Sequence, residues 1–159
     1  MKLNELSNNK FMIFIIIILI ACYHYLIQND LEKYFFKCHF DYNSIKRPLK
    51  ICSKDREHKE PIMCTGMPSG HAETITIFAS LLYLYKFIPL WLSILLIFIF
   101  SIQRYISHMH SIIQIVAGIT FGLSYAFIYK YFNLSILSFL MILGIGIALY
   151  LSCINHMKH

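Results

Sequence analysis

The stretch "FMIFIIIILIACYHYLI", residues 11–27, decides the class of this chain. Seventeen residues at about 1.5 Å per residue nearly cross a hydrocarbon layer ~30 Å thick. The run lacks the period-2 alternation of a half-buried strand, so it reads as a helix in an apolar medium. It is too long for the apolar part of a signal peptide, and no small-residue cleavage site follows, so it reads as a retained anchor. His24 sits near one end and reads as an interface histidine.

The whole composition agrees. Of 159 residues, 58% are hydrophobic and only 14% charged, against about 25% charged in soluble domains. Similar apolar runs cover 87–102, 112–132 and 134–154, and a helix is expected from Pro68 to about Tyr85. Pro68 suits a first helical turn, where a missing N–H costs nothing. The expected fold is therefore all-α, a multi-pass transmembrane helical bundle with about five spanning helices. Residues 1–10 form a short polar N-terminus, 11–154 a single membrane-embedded domain containing a polar loop at 28–67, and 155–159 a tail.

The net charge is +6. In a membrane chain that surplus points to anionic lipid or an anionic substrate. No basic tract interleaved with aromatics lies outside the apolar runs, so no nucleic-acid partner is expected. Of five cysteines, Cys22 and Cys153 fall in apolar runs. Cys38, Cys52 and Cys64 share the polar loop without the paired spacing of a zinc site, so no metal and no other cofactor is expected. In an oxidising compartment Cys52 with Cys64 is the expected disulfide. Oligomeric state is not legible.

Three polar clusters stand at helix borders: Arg47-Pro48 after the first helix, "PSGH" at 68–71 opening the second, and Arg104 to His110 between the third and fourth. With five alternating spans all three emerge on one side of the membrane. A helix start offers unpaired N–H groups and partial positive charge, a ready anion site. Gly70 lets a ligand approach the backbone, and Ser69 adds a hydroxyl. Arg47 and Arg104 offer guanidinium forks that match phosphate oxygens. Two imidazoles, His71 and His110, can then act as nucleophile and acid. Arg104 and His110 are six apart, about 240° around a straight helix, so they converge only if the chain bends between them. Gln114 lies four after His110, on one helical face, placed to accept the Nδ1–H of His110. Glu73 is open between tuning His71 and solvating the helix start. His108 and the alternating "KDREHKE" at 54–60 read as solvated surface.

This pattern resembles the type 2 phosphatidic acid phosphatase superfamily, which includes lipid phosphate phosphatases, polyprenyl diphosphate phosphatases and vanadium haloperoxidases. The likeness covers roughly residues 40–132. It implies that His110 is a nucleophile forming a phosphohistidine and that His71 is the general acid. It implies that Arg47, Ser69, Gly70 and Arg104 hold the phosphoryl oxygens and that no metal is needed. The implied function is hydrolysis of a lipid phosphate or polyprenyl diphosphate, with membrane lipids as partners. Three positions depart from the family signature: Phe40 stands for a Lys, Gln103 for a Ser and Gln114 for an Asp. Gln114 and "GMPS" resemble the dolichyl diphosphate phosphatase branch. The departures also admit a non-catalytic lipid-phosphate-binding protein, and histidine chemistry also admits a lipid phosphotransferase. The Lys and Arg of the loop favour the cytoplasm, whereas the resemblance implies a lumenal or periplasmic active site, which is the expectation adopted.

Overall fold

The computed structural model describes residues 10–39, 65–133, 135, 140, 142–148 and 151–152. Arg47, Phe40 and the expected Cys52–Cys64 pair lie outside these residues. Among the described residues the fold is helical throughout, with no β-strand.

Helix α1, Lys10–His39, runs for 30 residues. It is α-helical over Lys10–Tyr23, π-helical over His24–Gln28, and α-helical again over Asn29–His39. The segment 28–39 is therefore helix, and the expected polar loop cannot begin at 28. Its polarity does not reflect exposure: Gln28, Asn29 and Glu32 are buried. Each finds a side-chain partner on a neighbouring helix, which keeps a buried polar helix affordable. Cys22 carries a free thiol, and Cys38 is disulfide-bonded.

Helix α2, Gly70–Leu84, begins two residues later than expected. Ser69 has φ −74° and ψ 102°, outside the helical region, while its carbonyl accepts from the Glu73 N–H at 2.9 Å. Ser69 is thus the N-cap and Pro68 precedes the helix, joined to Met67 by a cis bond. Helix α3, Leu90–Ile106, continues past Gln103, so Arg104 lies in its last turn. Helix α4, Ile112–Tyr131, matches expectation within a residue. Residues 140, 142–148, 151 and 152 are helical, within the fifth apolar run.

Helix α3 ends in a Schellman turn. His108 N–H donates to Tyr105 O at 2.9 Å and Met109 N–H to Arg104 O at 3.1 Å, with His108 at φ 54°. This is the bend that the spacing of Arg104 and His110 demanded. Lys86, at φ 61°, closes α2 the same way, with Lys86 N–H on Tyr83 O and Phe87 N–H on Leu82 O.

The core joins α1, α2 and α4 through Ile13, Ile17, Ile20, Ile77, Leu81, Tyr125 and Tyr129. α2 and α4 run parallel and very close. A β-carbon at Gly118 would lie 2.5 Å from Ser69 O, and one at Gly122 2.6 Å from Glu73 O. Two glycines four apart on α4 thus admit the backbone of the first turn of α2, a packing common between membrane helices. α1 runs antiparallel to both.

α3 is patterned inside out. Its buried residues are Ser93 and Ser101, while Leu90, Trp91, Ile94, Phe98 and Ile99 are exposed. Small polar groups inward and bulky apolar groups outward suit a hydrocarbon surround, not water. α1 and α4 are long and apolar enough to cross a membrane; α3 is apolar but shorter, at 17 residues.

Candidate active site

His110 precedes α4, ahead of the N-cap Ser111, and is buried. Its Nδ1 lies 3.0 Å from the carbonyl oxygen of Gly66 and 3.3 Å from Gln114 Oε1. A carbonyl only accepts, so Nδ1 carries the proton and Nε2 the lone pair. Gln114 reaches His110 by a different route from the one the spacing suggested. His110 is not on the helix; Gln114 folds back as the third residue of a capping box. Its Oε1 accepts from the Ser111 N–H at 3.1 Å as well as from His110, while its own N–H donates to Ser111 Oγ at 3.4 Å. The carbonyl of Gly66 had no signal in the sequence.

The start of α2 is tied to this same residue. Ser69 N–H donates to the backbone carbonyl of Gln114 at 3.0 Å. Ser69 is fully buried, and among the described residues its Oγ has no hydrogen-bond partner. The same holds for Nε of Arg104, whose Nη1 donates to Met109 Sδ at 2.9 Å. That contact folds the guanidinium toward the residue beside His110. Buried donors of this kind are rare unless they serve a ligand or strain. Gly70 packs against Asn29, with whose side chain a β-carbon there would collide.

His71 is half-buried and packs edge-on against Tyr25, ring centroids 5.2 Å apart. Both line an open groove of about 390 Å³ between α1, α2 and α3. It runs from Tyr25 and His71 to Ile18 and Phe78, with Ala21, Cys22, Thr74, Ile75 and Phe100 between. Along α2 this is seven residue-to-residue steps, ~10 Å at 1.5 Å per residue. Among the described residues that line it, His71 is the one basic side chain. His108 is exposed and serves the helix end.

A second polar centre lies within the bundle, and sequence reasoning missed it. His24 is fully buried and is no interface residue. Its Nδ1 shares a 3.0 Å hydrogen bond with Glu73 Oε1, and its Nε2 lies 3.2 Å from the Tyr129 hydroxyl. Asn29 Nδ2 donates to Glu73 Oε2 at 3.3 Å. Gln28 Nε2 donates to Tyr125 Oη at 3.2 Å, and the Tyr125 hydroxyl donates to Glu32 Oε1. The available signal was the spacing of His24, Gln28, Asn29 and Glu32, which repeats close to the helical period. Among the described residues no group of three or more His, Cys, Asp or Glu side chains is placed to hold a metal ion.

Comparison with individual curated proteins and with solved structures returns no match. A family model does match, that of the PAP2 superfamily, over residues 10–138. That span takes in His71, Ser69, Arg104, His110 and Gln114, and the phosphatases of the family act on phosphate esters. The chain belongs to the PAP2 superfamily.

Proposed function

We propose that this chain is a multi-pass membrane phosphatase that hydrolyses a lipid phosphate or polyprenyl diphosphate through a phosphohistidine. The observation that carries the reading is the bond from His110 Nδ1 to Gly66 O. It fixes the tautomer whose Nε2 is nucleophilic, with Gln114 Oε1 as a second acceptor.

In the first step Nε2 of His110 attacks phosphorus and the bond to the leaving oxygen breaks. His71 gives its proton to that oxygen. Ser69, Gly70, Arg104 and Arg47 hold the remaining phosphoryl oxygens, with the N-terminus of α2 adding partial positive charge. In the second step water attacks phosphorus, the N–P bond breaks and the water proton returns to His71. The enzyme ends as it began, and both steps run through the two histidines.

The groove supports a lipid as the leaving group. It is apolar, open on the side of the bundle, and contains the residue assigned to protonate the departing oxygen. A hydrocarbon chain lying there places its first carbon beside His71. The active face is assigned to the lumenal or periplasmic side.

The test is phosphate release by detergent-purified protein from phosphatidate, diacylglycerol diphosphate and a polyprenyl diphosphate, with chelator present and His110→Ala alongside. Release that survives chelator and disappears in the variant is expected. The preferred lipid then names the branch. Absence of release with lipid-phosphate binding retained overturns the catalytic reading and makes the chain a receptor, with Phe40 as the prime suspect.

A further inference from the structure

The polar centre around Glu73 takes no part in the two steps above, yet it is built with care. Buried ionisable groups at membrane depth are costly and generally have a task. π-helical turns also concentrate at functional sites. Here the two coincide, since the π turn is His24–Gln28.

The turn has a geometric consequence. In a straight α-helix, residues five apart point about 140° away from each other. In the π turn the Asn29 N–H bonds to His24 O, five residues back, so the two residues stack on one face. Both then reach the same carboxylate, His24 on Oε1 and Asn29 on Oε2 of Glu73. The residue after His24 is Tyr25, which packs against His71. Glu73 and His71 are two apart on α2, about 200° around its axis. One turn of α1 therefore holds α2 from two sides. Asn29, against Gly70, holds it at its first residue as well.

We propose that the π turn of α1 positions the general acid: His24 and Asn29 anchor Glu73, Tyr25 seats the ring, and together they set the rotation of α2 that aims His71. The proposal rests on the reading of His71 as the general acid. Glu73, His24 and Tyr25 are positioning residues that touch no reacting atom.

Leaving groups that need no proton provide the discriminating readout. The pair of substrates is the preferred lipid phosphate, with a poor alkoxide leaving group, and p-nitrophenyl phosphate, with a good one. For Glu73→Ala and His24→Ala, kcat on the lipid should fall about 100-fold with KM little changed, the size expected of a slightly misplaced group. In the first-turnover burst of p-nitrophenol, which reads phosphoryl transfer to His110 before water attacks, the loss should shrink below about 10-fold. Glu73→Gln, which keeps both oxygen and amide contacts in reach of His24 and Asn29, should recover most of the rate. His24→Ala combined with Glu73→Ala should be no worse than Glu73→Ala alone, because both break one contact.

The second measurement needs no turnover. The His71 ring resonance of labelled protein in micelles, assigned with His71→Gln, should move in Glu73→Ala and in Tyr25→Leu. An unmoved resonance, or a p-nitrophenol burst slowed as much as lipid turnover, overturns the proposal. A wild-type protein inactive on both substrates defeats the phosphatase reading instead, and the ring resonance still decides this one.

Discussion

The Ser69 N–H donates to the backbone carbonyl of Gln114, while the side chain of Gln114 accepts from His110 Nδ1. One residue thereby links the start of α2, the proposed phosphate cradle, to His110, the proposed nucleophile, ahead of α4. The side-chain half of that link is open to mutation without disturbing the backbone half.

Gln114→Leu removes the second acceptor for His110 and half of the capping box. Stability should fall by about 1 kcal/mol, the usual worth of a cap. Activity should fall about 10-fold, well short of the ~10⁴-fold cost of a wrong tautomer, because Gly66 O still holds Nδ1–H. Gln114→Glu keeps the cap and adds charge beside the imidazole, so its kcat should equal or exceed that of the parent. Thermal melts and steady-state kinetics on the three proteins check this.

Gly118 and Gly144 make a matched pair. A β-carbon at Gly118 would press on Ser69 O at 2.5 Å, whereas one at Gly144 meets nothing within 4 Å among the described residues. Gly118→Ala should cost about 1–3 kcal/mol through overpacking and lower activity by moving Ser69. Gly144→Ala, in an open helical position, should gain about 0.5–1 kcal/mol and leave activity alone. Equal effects at the two sites would contradict the close α2–α4 approach.

Cys22→Trp fills the groove beside His71 without touching either histidine. Turnover of long-chain lipid phosphate should drop, while hydrolysis of a short water-soluble phosphate ester should hold. KM and kcat for the two substrates, compared with the parent, are the measurement. Parallel losses on both would remove the groove from substrate binding.

His108→Gly tests the remaining histidine of the 104–110 segment. Its φ of 54° strains a residue with a β-carbon and suits glycine. The variant should melt higher, by up to about 1 kcal/mol, with unchanged kcat. A fall in kcat would give His108 a chemical role.

The local backbone of the candidate site was legible because it depends on nearby residues. Ser69, Gly70 and His71 open a helix, and the bend before His110 was required by the six-residue spacing from Arg104. Helix ends were read less well. Pro68 suggested a start that Ser69, with its extended backbone, takes instead. Gln103 suggested a stop, but one polar residue on a helix flank does not end a helix. The deeper miss was the polar centre. His24, Gln28, Asn29 and Glu32 look like a surface until their partners, Glu73, Tyr125 and Tyr129, are brought from 44 to 105 residues away. Burial of a polar group depends on what faces it, and that information is non-local.

The length of α1 sets a depth for the chemistry. Thirty residues make a rod of ~45 Å, against a hydrocarbon layer of ~30 Å. With the apolar half of α1 in the hydrocarbon, the stretch carrying Asp30, Lys33 and Lys37 stands among headgroups. The start of α2 lies alongside Asn29, so in the proposed reaction phosphorus is met near the boundary between oil and water. The proposed lipid phosphate, drawn to that level, keeps its charge in a wet layer and its tail in the oil. Neither half of an amphiphile has to change solvent for the bond between them to be cut.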